Sequence, residues 1–447
     1  MSFERQPWQP LSLNVNDHGH LALGAVDLWE LAQQHKTPLY VMDLETLREK
    51  ALSYKRCYAA YPGAIQPIYA SKALSTVGIL QLMHAWGFAI DVVSGGELFT
   101  AFKAKIPGEK IIFHGNNKSS KELSEAILFG VGRIVVDSLD EIERLGKLCN
   151  ELTMPANVLL RVVPGIEAHT HDYIKTGQRD TKFGVPAEFV TEAVKRIVAH
   201  PRLNWQGLHA HVGSQIFDAE PLAQCAEVLL ELANRLHQET GVWIKDLNIG
   251  GGLGIHYTAA DDPQPLERLA EAAIIRIQNI CSKLSKPLPR LLFEPGRSLV
   301  ATAGITLYEV GTLKDIPGLR KIAAVDGGMA DNPRPITYGA AYTADCVNKA
   351  TFAERETYTI AGKFCESGDI LIKQTELPPL ALGDILAVYG TGAYNYSMAS
   401  NYNRVPRPTM LLVDAASSQV HTLLKRETYE DLCRLDKHLD DSLLVNP

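Results

Sequence analysis

Between residues 36 and 300 one pattern repeats eight times: a short apolar run, a polar or glycine-rich turn, then a helical spacing of apolar residues. The runs occupy 68–70, 88–93, 111–113, 134–136, 158–163, 208–211, 247–249 and 291–294. Short apolar runs alternating with helices mark parallel strands joined by crossover helices, because such a sheet is covered on both faces. Eight units are the number that closes a (β/α)8 barrel; an open, doubly wound sheet is the competing arrangement. Three turns carry a helix-start signal. Ser94, Ser119 and Ser138 each stand three residues before a glutamate (Glu97, Glu122 and Glu141). At that spacing hydroxyl and carboxylate can satisfy free backbone N–H groups reciprocally.

The remainder reads differently. Strand-like runs at 305–310, 322–325, 358–361, 370–373, 385–389 and 410–413 predict a mostly antiparallel β domain, sandwich- or barrel-like, over 301–447. Long helical spacing is absent there until the last twenty residues. Residues 10–24 read as a hairpin turning at Asn16-Asp17-His18-Gly19. The segment 1–35 is therefore expected to join the C-terminal β domain, leaving 36–300 as the barrel.

Charge and cysteine usage narrow the function. Lys and Arg total 44 against 51 Asp and Glu, a net charge of −7, which excludes a general nucleic-acid binder. The seven cysteines form no Cys-x-x-Cys pair, which argues against a zinc cluster or a disulfide framework. The start, Met-Ser-Phe-Glu-Arg-Gln-Pro, lacks a signal-peptide pattern, and no apolar stretch approaches the length of a membrane span. The expectation is a cytoplasmic enzyme that takes a small-molecule substrate and engages neither nucleic acid nor membrane.

In a closed barrel the active site forms at the C-terminal ends of the strands. Those ends carry Lys72, Asp91 with Ser94, His114, Asp137, Arg161, His211, the run Gly250-Gly251-Gly252, and Glu294. Lys72 would point into a cavity where desolvation frees its amine for imine chemistry, though many lysines at such positions lie on the surface. The glycine run is neither a P-loop nor a dinucleotide fingerprint; it fits a phosphate cradle or a tight strand-to-helix turn. His211, followed by Ser214, could lie against an aromatic cofactor or be a core histidine. Glu294, in Glu294-Pro295-Gly296-Arg297, could hold a pyridine nitrogen protonated or form a rim ion pair with Arg297. Together these supply an amine, a phosphate cradle, a ring-facing histidine and a carboxylate, which are the needs of pyridoxal 5′-phosphate. No metal site is expected: His-Glu-x-x-His is missing and His169-Thr170-His171 is isolated.

Over residues 36 to 405 the chain resembles the alanine-racemase-like, fold-type III pyridoxal-phosphate decarboxylases. The resemblance rests on Tyr69-Ala70-Ser71-Lys72-Ala73, Asp91-Val92-Val93-Ser94-Gly95-Gly96-Glu97, His211-Val212-Gly213-Ser214-Gln215 and Asn248-Ile249-Gly250-Gly251-Gly252. It continues through Glu294-Pro295-Gly296-Arg297, Asp326-Gly327-Gly328-Met329, Arg334-Pro335 with Tyr338, Cys365-Glu366-Ser367-Gly368-Asp369 and Gly392-Ala393-Tyr394. By that resemblance Lys72 carries the cofactor, His211 stacks on its ring and Glu294 pairs with its nitrogen. Ser214, Gly252, Arg297 and Tyr394 surround the phosphate or the adjoining substrate, with Asp91, Arg161, Gly250, Gly251 and Gly296 completing the cofactor set. The resemblance implies a homodimer with shared active sites, in which Cys365 and Glu366 serve the partner's barrel, Cys365 as proton donor.

Arg334 with Tyr338, plus Arg297, suits a substrate bearing a second carboxylate, and Glu366 its distal ammonium. His169-Thr170-His171-Asp172-Tyr173-Ile174 and Thr181-Lys182-Phe183-Gly184 point the same way. The implied reaction is decarboxylation of meso-2,6-diaminopimelate to L-lysine. A decarboxylase for ornithine, lysine, arginine or carboxynorspermidine, a racemase, and an inactive regulatory homologue are the alternatives.

Overall fold

The computed structural model describes residues 3–165, 182–440 and 443–444. Eight parallel strands close into a barrel in chain order: Ile65–Ala70, Ala89–Val92, Ile111–Phe113, Arg133–Val136, Ala156–Arg161, Leu203–His209, Asp246–Asn248 and Arg290–Phe293. The last pairs with the first through Leu291 to Phe293 against Ile65 to Pro67, which excludes the open sheet. Inward-facing Ile68, Ala89, Ile112, Val135, Leu159 and Leu292 fill the lumen as a packed cluster of their own. Their alternates pack outward against the helices, so each strand is apolar on both faces.

The serine caps form as the spacing predicts, with one refinement. Ser94, Ser119 and Ser138 each accept the N–H of the glutamate three residues on, at 3.2 Å. Only Ser119 and Glu122 close the reciprocal box. Glu97 and Glu141 instead reach one residue further back, to the N–H of Val93 at 2.7 Å and of Asp137 at 2.9 Å. Those two carboxylates thereby tie the helix starts to the strand ends that face the barrel mouth.

The second sheet has nine strands and is mixed: Arg320–Val325 with Glu356–Ala361, and Leu39–Asp43 with Thr409–Asp414, are parallel, and the remaining pairs antiparallel. Leu39–Asp43 lies in the stretch expected to be barrel, yet it sits between Gly304–Ile316 and Thr409–Asp414. A five-residue buried run reads alike in either sheet; only its distant partners decide. The hairpin at Asn16 forms, with Asn16 Oδ1 accepting from the N–H of His18 and of His20 at 3.0 Å. It builds a separate three-stranded sheet of Leu13–Val15, Leu21–Leu23 and Val26–Asp27. Its Leu13, Leu21 and Leu23 pack in one cluster with Ile305, Ile385 and Leu411 of the large sheet.

Among the described residues of the last twenty, the helical pattern forms one α-helix, Tyr429–Cys433, with Tyr429 76% and Leu435 78% exposed. With no apolar face buried, packing does not extend it. Among the described residues no helix is long and apolar enough to cross a membrane.

Candidate active site

A cavity of about 650 Å³ opens where the strand ends meet the β domain. From the barrel, Lys72, Asp91, Arg161, His211, Ser214 and Gly252 line it, followed by Glu294, Gly296 and Arg297. The β domain contributes Arg334, Tyr338 and Tyr394. Gly250 and Gly251 form the turn that leads into Gly252. Cys365 and Glu366 are not brought there: both are exposed, with the Cys365 N–H bonded to Asn403 Oδ1 at 2.9 Å. The segment from His169 to Ile174, and Thr181, lie outside the described residues.

Lys72 sits in a single helical turn, Ser71–Ala73, directly after the first barrel strand. That turn is held by both domains. Ala70 N–H donates to Pro295 O at 3.0 Å, while Tyr394 N–H and Ser397 Oγ donate to Ala73 O at 2.8 and 2.9 Å. In the single chain the Lys72 side chain is exposed at the barrel mouth and lines the cavity.

Glu294 is the electrostatic centre. Its Oε1 lies 2.9 Å from His114 Nε2 and accepts from Asn248 Nδ2 at 2.6 Å; its Oε2 lies 3.3 Å from His209 Nε2. It does not pair with Arg297, so the rim ion pair is not formed. Burial would raise its pKa, but the imidazoles of His114 and His209 outweigh burial and hold the carboxyl well below the usual range. Burial likewise opposes charge on His114, yet Glu294 and Asp91 together raise its pKa. His209 is pushed down to about 4 and His211 well below its ordinary value, both chiefly by burial, so both rings are neutral near pH 7. Burial raises Asp91, against the pull of His114. The partners leave one lone pair of Glu294 Oε2 free to accept a hydrogen bond from a ring N–H.

His114, His209 and Glu294 also bring potential ligand atoms within 4.8 Å of one another. His209 Nε2 hydrogen-bonds Glu294 Oε2 and His114 Nε2 makes an ion-pair contact with Oε1, so the two imidazoles orient and charge the carboxylate.

The glycine run is shaped for close approach. A Cβ at Gly251 would lie 1.9 Å from Glu294 O, and one at Gly252, where φ is +102°, would lie 2.0 Å from Gly213 O. Only glycine fits either place. Ile216 and the run zip the two loops together, Ile216 N–H to Gly252 O at 2.9 Å and Gly254 N–H to Ile216 O at 2.8 Å. Arg297, buried beside them, donates from Nη2 to Ser214 Oγ at 3.0 Å and from Nη1 to Tyr257 Oη at 2.7 Å. Its Nε and Asp91 Oδ1 are buried with no hydrogen-bond partner inside the protein. A bare cradle, an uncommitted guanidinium N–H, a carboxylate with a spare lone pair and a reachable amine fit a phosphate-bearing pyridine aldehyde.

Arg334 is the second buried guanidinium. It donates from Nη1 to Tyr342 Oη at 2.7 Å and lies 4.8 Å over the ring of Tyr257. Between the two arginines the phenol of Tyr257, which burial alone would make less acidic, has its pKa lowered. Arg297 and Arg334, the two buried guanidinium groups among the cations lining the cavity, suit two anionic groups. Sequence reasoning missed His209, Asn248, Tyr257 and Tyr342. His209 and Asn248 end apolar strands and point inward by alternation, a signal available at the strand ends; Tyr257 and Tyr342 lie in loops with no local motif.

A family profile described as pyridoxal-dependent decarboxylase, pyridoxal binding domain, matches residues 44–301. Diaminopimelate decarboxylase of Bacillus subtilis (strain 168) is 46% identical over 423 residues, 94% of this chain and 96% of that protein. The Synechocystis sp. protein of the same name is 46% identical over 436 residues, 96% of this chain and 92% of its own. The crystal structure of diaminopimelate decarboxylase from M. jannaschii in complex with L-lysine superposes with a TM-score of 0.90 at 34% identity, covering 96% of this chain and 98% of that one.

Proposed function

The chain belongs to the diaminopimelate decarboxylase family of pyridoxal-dependent decarboxylases, and from that premise we propose how its residues remove CO2 from meso-2,6-diaminopimelate to leave L-lysine. Pyridoxal phosphate, when bound, supplies an electron sink for the electrons of the broken C–C bond. Lys72, whose amine lines the cavity, is the residue that would hold the cofactor by its aldehyde. Glu294, its own charge secured by His114 and His209, would keep the ring nitrogen protonated through the spare lone pair of Oε2. His211, half-buried and held neutral, would lie against the ring. The turn at Gly250, Gly251 and Gly252 would receive the phosphate with Ser214 and Arg297 Nε, while Asp91, Arg161 and Gly296 shape the remaining wall. Arg334, with Tyr338 and Tyr394 beside it, grips the carboxylate that is kept.

The observation that carries this reading is the meeting of Lys72, a histidine-held Glu294 and two buried arginines around one cavity. An aliphatic diamine product needs no second guanidinium; a substrate that keeps a carboxylate at its far end does.

The working unit is a homodimer. Cys365 and Glu366 belong to a five-residue motif of chemistry-bearing groups, yet stand exposed away from their own chain's cavity. They complete the partner's site, Cys365 as the acid that protonates the α-carbon and Glu366 as the acceptor for the distal ammonium. All seven cysteines are free thiols, in keeping with work in the reducing cytoplasm. The test is release of CO2 and lysine from meso-diaminopimelate, wild type against Lys72→Ala. The wild type releases both in equal amounts and the variant neither; turnover surviving the substitution overturns the assignment.

A further inference from the structure

We infer that Asp369 is a positioning residue that locks the arginine of its own chain's site to the cysteine that the same chain delivers to its partner's site. The inference rests on the shared-site reading above. Asp369 is 4% exposed, and its two carboxylate oxygens are divided between two segments. Oδ1 accepts from the N–H of Met329 at 2.7 Å, and Oδ2 from the N–H of Phe364 at 2.9 Å. Met329 lies five residues before Arg334; Phe364 is the neighbour of Cys365.

Each segment is otherwise stiff, so the carboxylate acts as a hinge pin. On the arginine side, Asp331 Oδ1 accepts from Gly328 N–H at 2.8 Å, and the N–H groups of Asp331 and Asn332 both return to Gly328 O, at 3.1 and 2.8 Å. The short helix Arg334–Tyr338 starts directly after this knot. On the cysteine side, Gly362 N–H donates to Asp369 O at 2.9 Å, and Lys363 N–H to Gly327 O at 2.9 Å, so the two turns also clasp each other directly.

The space around the carboxylate is built for it. A Cβ at Gly362 would lie 2.1 Å from Asp369 Oδ2, and one at Gly328, where φ is +152°, 2.5 Å from the same atom. Two glycines close on one carboxylate, and both of its partners are N–H donors, which a carboxylate satisfies fully. An asparagine would turn an NH2 group against one of them.

Chain pairing separates this role from a merely structural one. Heterodimers carrying two affinity tags are made with Lys72→Ala on one chain, so that only one site works. Placing Asp369→Asn on the chain with the intact lysine disturbs that site's own Arg334: KM for meso-diaminopimelate rises about tenfold with kcat near the reference, the loss for one misaligned bond to a charged group. Placing Asp369→Asn on the Lys72→Ala chain disturbs only the donated Cys365: kcat falls by about 10²-fold with KM near the reference, the scale of a misplaced reacting group. Equal defects in the two pairings, or none in either, overturn the inference.

A control pairs Cys365→Ala with Lys72→Ala, which must regain activity that the Cys365→Ala homodimer lacks. If it does not, the shared-site reading fails, and the coupling with it. Should Asp369→Asn not yield folded protein, Gly362→Ala, which crowds the same oxygen, is carried through both pairings and must give the same split.

Discussion

Arg334→Met removes the charge assigned to the retained carboxylate while keeping a long side chain over Tyr257. A guanidinium that meets a carboxylate with two N–H donors makes two charge-assisted bonds, each worth about 1.5–3 kcal/mol in a buried setting. Arg334 is 7% exposed and holds one fixed bond, to Tyr342 Oη at 2.7 Å, so its fork is already oriented and little ordering cost offsets that gain. The lower bound for two bonds is about 3 kcal/mol, or about 10²-fold in kcat/KM at 1.36 kcal/mol per decade. Water entering the cavity limits the loss to about 10³-fold. Tyr342 keeps its contact with Asn395 Oδ1 at 3.3 Å, so the fold survives the change. Arg334 touches neither Ser214 nor the glycine turn, so cofactor content stays at the wild-type level. The assay is CO2 release from meso-diaminopimelate and, in parallel, from L-lysine, which has no second carboxylate. The loss falls on the first substrate and spares any slow turnover of the second. A loss below about threefold, or an equal loss on both, refutes the assignment of Arg334.

Gly252→Ala puts a methyl 2.0 Å from Gly213 O at φ +102°, so the cradle must open; cofactor titration by absorbance gives an affinity weakened at least about tenfold. Lys118→Met strands the carboxylate of Glu141, whose partner ammonium lies 2.7 Å away with both side chains nearly inaccessible. Calorimetry shows stability lower by about 3–5 kcal/mol, and Lys118→Met/Glu141→Leu recovers most of it. Glu427, bonded to Arg407 and Asn401, has its pKa brought down to about 2 although burial opposes this. With an unfolded value near 4.3, the stability it contributes is complete above about pH 5 and is lost as pH falls toward 2. Glu427→Gln is therefore less stable than wild type at pH 7 and indistinguishable from it at pH 2 by denaturant titration.

What could be read from the chain follows from how local each signal is. Eight strand-to-helix units announce themselves because every barrel strand is apolar on both faces, and the residue after each run falls at the mouth. That rule alone placed Lys72, Asp91, Arg161, His211 and Glu294 around one cavity. It failed for Leu39–Asp43, whose apolar run is identical in kind but whose partners, Gly304–Ile316 and Thr409–Asp414, lie hundreds of residues away. It also passed over His209, hidden at the end of an apolar strand, although that imidazole helps to fix the charge of Glu294. Tyr257 and Tyr342 matter because they brace Arg297 and Arg334, each within its own domain, and the ring of Tyr257 comes to lie beneath Arg334 only once barrel and β domain are apposed.

Everything turns on which amine carries the cofactor. Borohydride fixes pyridoxal phosphate permanently to the nitrogen that holds it, and peptide mapping by mass spectrometry then locates the modified residue. The structure predicts a single labelled peptide, bearing the modification at Lys72, and none in Lys72→Ala. A label on any other lysine, or undiminished labelling of the variant, contradicts it.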